Sequence, residues 1–215
     1  MLLTCGANPN VVNTRGKSHS KTALLNACFN VNATPALVRL LLQRGADVTH
    51  TSSEGLTALH CVFSDPWLDT DRPAITALLL EYGVDVNAKS KCGYTVLHRC
   101  VEKGFIESTR LLIVAGADVN AITHSGRTPF TMCRRNAQRV AEMLLMAGAD
   151  HTHRCNHDSG NYFDRVPPEE QERLLAARDN YLAFLARLSA SPLSSRYPLS
   201  ADNVRQIMLE VAQRF

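Results

Sequence analysis

The 215-residue sequence lacks the features that identify several large classes of protein. No stretch approaches the roughly 20 consecutive apolar residues that a helix needs to cross a bilayer. No run of lysine and arginine exceeds two residues, and the net charge is only +3. We therefore expect no membrane partner and no nucleic-acid partner, because both would favour concentrated positive charge.

Paired cysteine motifs are also missing. The seven cysteines are an odd number, and no two of them form a Cys-x-x-Cys pair. Scattered, unpaired thiols are typical of a reducing compartment, whereas secreted domains of this size usually carry a disulfide framework. The sequence thus predicts free cysteines and a cytoplasmic or nuclear location.

The motifs of common enzyme families are absent as well. The sequence contains no GxGxxG, GxxxxGK, HExxH or GxSxG. His60 beside Cys61 could suggest a thiol nucleophile with its base, but adjacent residues on a helix point about 100° apart. We expect no catalytic residues, no cofactor and no metal ion, and therefore no enzyme.

A repeated pattern fills most of the sequence instead. A glycine followed by Ala or Val and then Asp or Asn recurs at Gly6, Gly45, Gly83, Gly116 and Gly148, with spacings of 39, 38, 33 and 32 residues. A threonine-led segment begins between successive glycines at Thr22, Thr57, Thr95 and Thr128. Leucine-rich stretches precede most of the glycines, which is typical of helices that end at a left-handed residue. Two landmarks in the same order across four units indicate a repeat protein.

These residues resemble the ankyrin repeat over about residues 1–158. The resemblance implies an all-α solenoid of stacked helix-turn-helix units with β-hairpin loops, plus C-terminal capping helices. We predict units at 1–12 (partial), 13–50, 51–88, 89–121 and 122–155. A degenerate repeat or capping helix follows at 159–189, and a linker with an amphipathic helix at 190–215. Because the sequence begins within a unit, we expect further sequence upstream.

Two histidines match a structural position of the ankyrin pattern. His60 and His98 each lie three residues after the leading threonine, where the resemblance implies hydrogen bonds between neighbouring units. Leu25 and Thr131 replace this histidine, so the outer units should be less regular.

Two clusters could carry chemistry besides binding. One cluster is the alternating series His151, His153, Cys155 and His157, whose side chains would share one face of a strand and could bind a metal ion. Four ligands from one short strand rarely complete a tetrahedral site. We therefore favour a polar surface loop. Asn87 and Asn120 end Asp-Val-Asn triplets, each with a leucine eight residues earlier. In the ankyrin family this arrangement resembles the target of an asparaginyl hydroxylase; the alternative is a turn asparagine that bonds backbone groups.

The resemblance implies that a concave groove, formed by loop tips and first helices, binds a protein partner. Basic residues accumulate toward the C-terminal units, which favours an acidic or phosphorylated segment. Trp67, the only tryptophan, lies on a lengthened loop and is a second candidate anchor. The predicted groove residues are Glu54, Leu56, Lys91, Tyr94, Glu102, Lys103, His124, Arg127, Arg134 and Arg135.

The sequence favours a protein-binding adaptor or scaffold and leaves two alternatives open. One is the substrate-receptor subunit of a ubiquitin ligase with a divergent cullin-recruiting box, although such boxes need a cysteine and none follows Cys155. The other is an inhibitor-type protein that masks another protein's surface. The oligomeric state is left open.

Overall fold

The computed structural model describes residues 7–13, 20–30, 34–64, 71–134, 137–155 and 162–189. These residues are organised in helices joined by turns, and no extended strand occurs in these ranges apart from an isolated bridge between Asn13 and Lys21. They fall into two compact units that are divided between Cys100 and Val101. The all-α class predicted from the sequence is confirmed.

The first unit stacks two helix pairs. It contains α1 (Ala23–Phe29), α2 (Pro35–Gln43), α3 (Ala58–Val62), α4 (Arg72–Glu81) and most of α5 (Val96–Lys103). The first helices α1 and α3 pack on each other, as do the second helices α2 and α4. Leucines from both layers, including Leu24, Leu59 and Leu79, are at most 1% exposed and form the core.

The second unit continues with α6 (Ile106–Val114), α7 (Gln138–Met146) and α8 (Pro168–Ser189). Helix α7 packs against both α6 and α8. The 22-residue α8 lies close to where the sequence predicts a capping helix, and it buries Leu174 and Tyr181.

Two helix boundaries differ from the regular pattern. After Thr128 the chain forms only a 3-10 helix, Phe130–Met132, where a repeat would begin with an α-helix. Helix α4 begins at Arg72 with Pro73 in its first turn, where proline is well tolerated.

Threonines and glycines set the ends of the helices. Thr22 and Thr57 accept hydrogen bonds from the backbone N–H three residues later and so cap α1 and α3. Gly45 and Gly148 adopt φ of +81° and +89° after α2 and α7, a region that glycine enters without steric cost. The sequence landmarks are therefore the physical start and stop signals of the helices.

No helix within the described ranges is long and apolar enough to cross a membrane.

Candidate functional site

The loop tips of the first unit are turns held by serine side chains. The Ser52 hydroxyl accepts hydrogen bonds from the backbone N–H groups of Glu54 and Leu56, both at 3.2 Å. Ser90 repeats this bond with the N–H of Tyr94 at 3.2 Å. We call the turns at 52–56 and 90–94 the first-unit loop tips.

Backbone hydrogen bonding joins the two first-unit loop tips. The N–H of Lys91 donates to the carbonyl of Glu54 at 3.0 Å. A Cβ on Gly55 would approach Lys91 N at 3.3 Å, so glycine permits this contact both by its space and by its φ of +71°. The side chains of Glu54 and Lys91 remain exposed beside each other's turn.

His60 connects a first helix to the next loop tip. Its Nδ1 lies 2.9 Å from the Thr57 hydroxyl and accepts from the Thr57 N–H at 3.4 Å, while Nε2 lies 3.2 Å from the Tyr94 carbonyl. Burial lowers the pKa of His60, so the neutral imidazole is favoured. Tyr94 is thereby fixed through its backbone, and its half-buried ring packs against the ring of His98 at 5.7 Å.

The second unit has an equivalent loop tip at 123–127. The Thr123 hydroxyl accepts from the Arg127 N–H at 3.1 Å, and Nε2 of His153 lies 2.8 Å from the Gly126 carbonyl. His124 is exposed at this tip, whereas Arg127 is half-buried with its Nε out of solvent. Rigid backbone at each tip presents side chains in fixed positions, which favours recognition of a partner.

Other predicted groove residues occupy a different part of the second unit. Arg127 precedes the short 3-10 helix and Arg134 follows it, so these two arginines lie at its opposite ends. Arg134 and Lys103 line a cavity of about 380 Å³ together with Arg139. Lys103 lies in the last turn of α5, Arg134 follows the 3-10 helix and Arg139 lies in the first turn of α7, so the cations of this cavity are not part of the loop tip.

The remaining predicted binding residues have separate positions. Leu56 belongs to the 52–56 loop tip and is half-buried there, whereas Glu102 is half-buried in α5 without lining the cavity. Trp67 and Arg135 lie outside the described residues.

Loop asparagines connect successive repeats. The Asn120 amide donates to the Gly148 carbonyl at 3.0 Å and its oxygen accepts from the Asp150 N–H at 2.8 Å. Asn10 makes the same pair of bonds to Gly45 and Asp47, at 2.9 and 2.7 Å. Asn120 and Asn87 are both exposed. The asparagines have a structural role, which is compatible with modification at an accessible side chain.

The histidine-rich segment after α7 is used for contacts within the unit. His153 bonds the Gly126 carbonyl, as above, and the His151 ring lies 5.6 Å from that of Phe163 while its Nδ1 is 3.2 Å from Arg178. Within the described ranges no three ligating side chains form a group suited to a metal ion. His157 lies outside those ranges.

The cysteines of the first helices are poor nucleophiles. Cys61 is 1% exposed, and burial raises its pKa to about 11. His60 cannot act as its base because both ring nitrogens face other partners. Burial also raises the pKa values of Cys28 and Cys133. These residues fill the core.

Some contacts within the second unit are not indicated by the sequence pattern. Arg165 donates to the carbonyls of Cys133 and Thr131 at 3.0 and 3.2 Å, which caps the short 3-10 helix. Phe130 packs edge-on against Tyr162 and Phe163 at 5.8 and 5.4 Å. No repeat landmark marks these residues, so only the aromatic pair Tyr162-Phe163 could have drawn attention to them.

Comparisons with known proteins agree with the repeat pattern. A family model described as ankyrin repeats, in three copies, matches residues 67–155. The chain is 42% identical over 48 residues to cyclin-dependent kinase 4 inhibitor B of Rattus norvegicus and of Mus musculus, and 40% identical to that of Homo sapiens. Each of these matches covers 22% of this chain. The match spans 35–37% of the relatives' length, so this chain is similar to about a third of each relative.

Proposed function

We propose that the chain, whose residues 67–155 match a model of ankyrin repeats, is a non-enzymatic adaptor or scaffold that binds a protein partner through its loop tips and first helices. Ankyrin repeats are protein-interaction modules that bind through an extended concave surface. The observation that carries it is the pair of joined first-unit loop tips, which hold Glu54, Lys91 and Tyr94 on a rigid backbone. Exposed charges beside a half-buried tyrosine are typical of a recognition surface.

The partner segment that suits this chain is acidic or phosphorylated. Lys91 and Arg127 lie on loop tips of the two units, and Lys103, Arg134 and Arg139 line the cavity of the second. Complementary charge increases the rate of association and selects among partners. A reducing compartment, cytoplasmic or nuclear, fits the free thiols of the described cysteines.

Affinity purification with a charge swap tests this surface. The double variant Glu54→Lys/Lys91→Glu keeps the net charge and alters two exposed loop-tip side chains. A matched control, Arg39→Glu/Glu81→Lys, makes the same exchange at exposed positions on the second helices α2 and α4. We expect partners to be lost from the loop-tip variant and kept by the control. Equal recovery with both variants and the unaltered chain would exclude the loop tips as the binding surface.

A protein kinase is a second candidate partner. The relatives are named as inhibitors of cyclin-dependent kinase 4, which favours the alternative of a protein that masks another protein's surface. Direct binding of purified cyclin-dependent kinase 4, with the rat inhibitor as positive control, tests this. Absence of binding at concentrations that saturate the control would remove this kinase as a partner.

The ubiquitin-ligase alternative depends on residues 190–215, which lie outside the described ranges. Affinity purification with a chain that ends at Ser189 distinguishes this alternative from the adaptor proposal. Loss of cullin-associated partners from this chain, with other partners retained, would support a cullin-recruiting tail. Unchanged recovery of every partner would make the tail dispensable.

Asn87 and Asn120 are proposed targets of hydroxylation. Both are exposed at the ends of their loops. Peptide mass spectra of the chain from cells should then show a mass increase of one oxygen at either residue. Spectra with only the unmodified asparagines, from oxygenated cells, would exclude the proposal.

A further inference from the structure

The cavity of the second unit is lined by cations from three separate segments. Lys103 lies in the last turn of α5, Arg134 follows the 3-10 helix, and Arg139 is in the first turn of α7. All three side chains are exposed, and no carboxylate is among the described residues that line this 380 Å³ space. Positive charge is therefore concentrated around an opening that a solvent-borne group can enter.

The three cations of the cavity, Lys103, Arg134 and Arg139, form no ion pair with any residue in the described ranges, whereas four other arginines of the unit do. A carboxylate does lie nearby, because the amide of the lining residue Gln138 donates to Glu142 at 3.5 Å. The pairs are Arg110–Glu107, Arg154–Asp164, Arg173–Glu142 and Arg178–Asp179. Like charges around one cavity repel each other, so an anion bound there would relieve the repulsion.

The other walls of the cavity suit a phosphorylated side chain. Gln138 contributes an amide at the start of α7, and the N-cap residue Ala137 has no side chain that could accept from the first N–H groups of the helix. Ile106, which is 44% exposed, supplies an apolar wall for the carbon stem of a ligand. Polar donors on one side and an apolar wall on the other match a charged group on a short stem.

We propose that this cavity binds the phosphoryl group of a phosphoserine or phosphothreonine in the protein partner. A phosphoryl group carries about −1.5 to −2 charges and three acceptor oxygens, which matches two guanidinium forks and an ammonium better than a carboxylate does. This inference rests on the proposed function and adds to it the position and chemistry of one recognition pocket. The loop tips then contact other parts of the same partner.

Titration with inorganic phosphate tests the pocket without a partner. Amide NMR spectra of the full chain are recorded at constant ionic strength, with chloride replaced by phosphate, so that general screening is unchanged. We expect saturable shifts at Gly104, Gln138 and Arg139. The variant Arg134→Glu/Arg139→Glu should weaken binding by about tenfold or more, because it removes two charge-assisted contacts.

A matched variant controls for the loss of positive charge. Arg39→Glu/Arg187→Glu makes the same change in net charge at exposed residues that do not line the cavity, and it should bind phosphate as the unaltered chain does. Shifts that are weak, unsaturable and equal in all three proteins would overturn the pocket. Unchanged chemical shifts away from the substituted residues show that both variants remain folded.

Peptides then identify the source of the phosphoryl group. A glycine-serine peptide with one central phosphoserine should bind more tightly than inorganic phosphate and more tightly than its serine and glutamate counterparts. Equal affinity of the phosphopeptide and inorganic phosphate would overturn the proposal in favour of a small free anion. If phosphate and the phosphopeptide do not bind while the loop-tip charge swap still removes partners, the phosphoryl pocket is excluded and the proposed function is retained.

Discussion

At the level of single residues, Tyr181 has a buried hydroxyl that lowers the stability gained from packing its ring. The side chain is 5% exposed on α8, and its hydroxyl has no hydrogen-bond partner among the described residues. Burial raises its pKa to about 12. The related Tyr162 differs, because its hydroxyl lies 3.3 Å from Glu170.

The substitution Tyr181→Phe should therefore leave stability unchanged or increase it by up to about 1 kcal/mol, since it removes an unsatisfied polar group. Tyr162→Phe loses a hydrogen bond and should cost about 0.5–1.5 kcal/mol. Urea denaturation of both variants measures the difference. A loss of more than about 1 kcal/mol in Tyr181→Phe would reveal a partner for this hydroxyl.

Thiol reactivity should divide the cysteines by burial. Cys92 is exposed, whereas Cys133 is fully buried with a raised pKa, and only the thiolate is alkylated readily. We expect iodoacetamide to label Cys92 in the native chain and Cys133 only after denaturation. Peptide mass spectrometry gives the extent at each residue. Labelling of Cys133 at the rate of Cys92 under native conditions would contradict the described core.

At the level of a single element, the Thr-x-x-His sequence stabilises the start of a helix. In α3 the threonine side chain and the histidine ring satisfy each other's backbone groups, and the ring also reaches the next loop tip. In the last predicted repeat, Thr131 forms the local part only, since its hydroxyl accepts from the Thr128 N–H at 3.1 Å and is too short to extend further. The missing contact to a neighbouring loop tip is consistent with the shorter helix at that position.

His60 should make stability depend on pH. Its pKa is lowered by folding, so the unfolded chain binds the proton more tightly. The stabilisation is present above about pH 6.5, the ordinary histidine value, and is lost as the pH falls toward the lower folded pKa. The free energy of unfolding should therefore fall when the pH is lowered from about 7.5 to about 5.5. We expect this fall to be smaller in the His60→Gln variant.

Urea denaturation at both pH values gives this difference, and the exposed His124→Gln is the matched control. The control should keep the pH dependence of the unaltered chain. Equal pH dependence in both variants would mean that His60 protonation does not oppose folding.

At the scale of the whole molecule, stability depends on layers of helices that cover one another. Helix α8 covers α7 through Leu174, which is 1% exposed, while Leu182 on the same helix is 49% exposed. A terminal layer of a repeat array protects the apolar surface of the layer beneath it.

Leu174→Ala should lower the free energy of unfolding by about 2–5 kcal/mol, because it removes buried methyl groups and leaves a cavity. Leu182→Ala, the same change at an exposed position, should cost less than about 0.5 kcal/mol. Thermal and urea denaturation measure both. Similar losses in the two variants would show that α8 does not cover α7 as described.

The sequence by itself determined the repeat, the helix class and most helix ends. Periodic leucines, capping threonines such as Thr57 and stop glycines such as Gly45 act locally, so their spacing suffices. These signals need no knowledge of distant contacts.

Which of the candidate side chains lie together depends on tertiary packing. The cavity of the second unit is lined by cations from three segments, Lys103, Arg134 and Arg139. The sequence pattern placed Lys103 and Arg134 in one groove with Arg127, but Arg127 does not line this cavity. Arg165 likewise reaches carbonyls more than 30 residues away, at Cys133 and Thr131. The physical reason is that local patterns fix where a helix begins and ends, whereas the neighbours of a surface charge depend on how successive layers are packed.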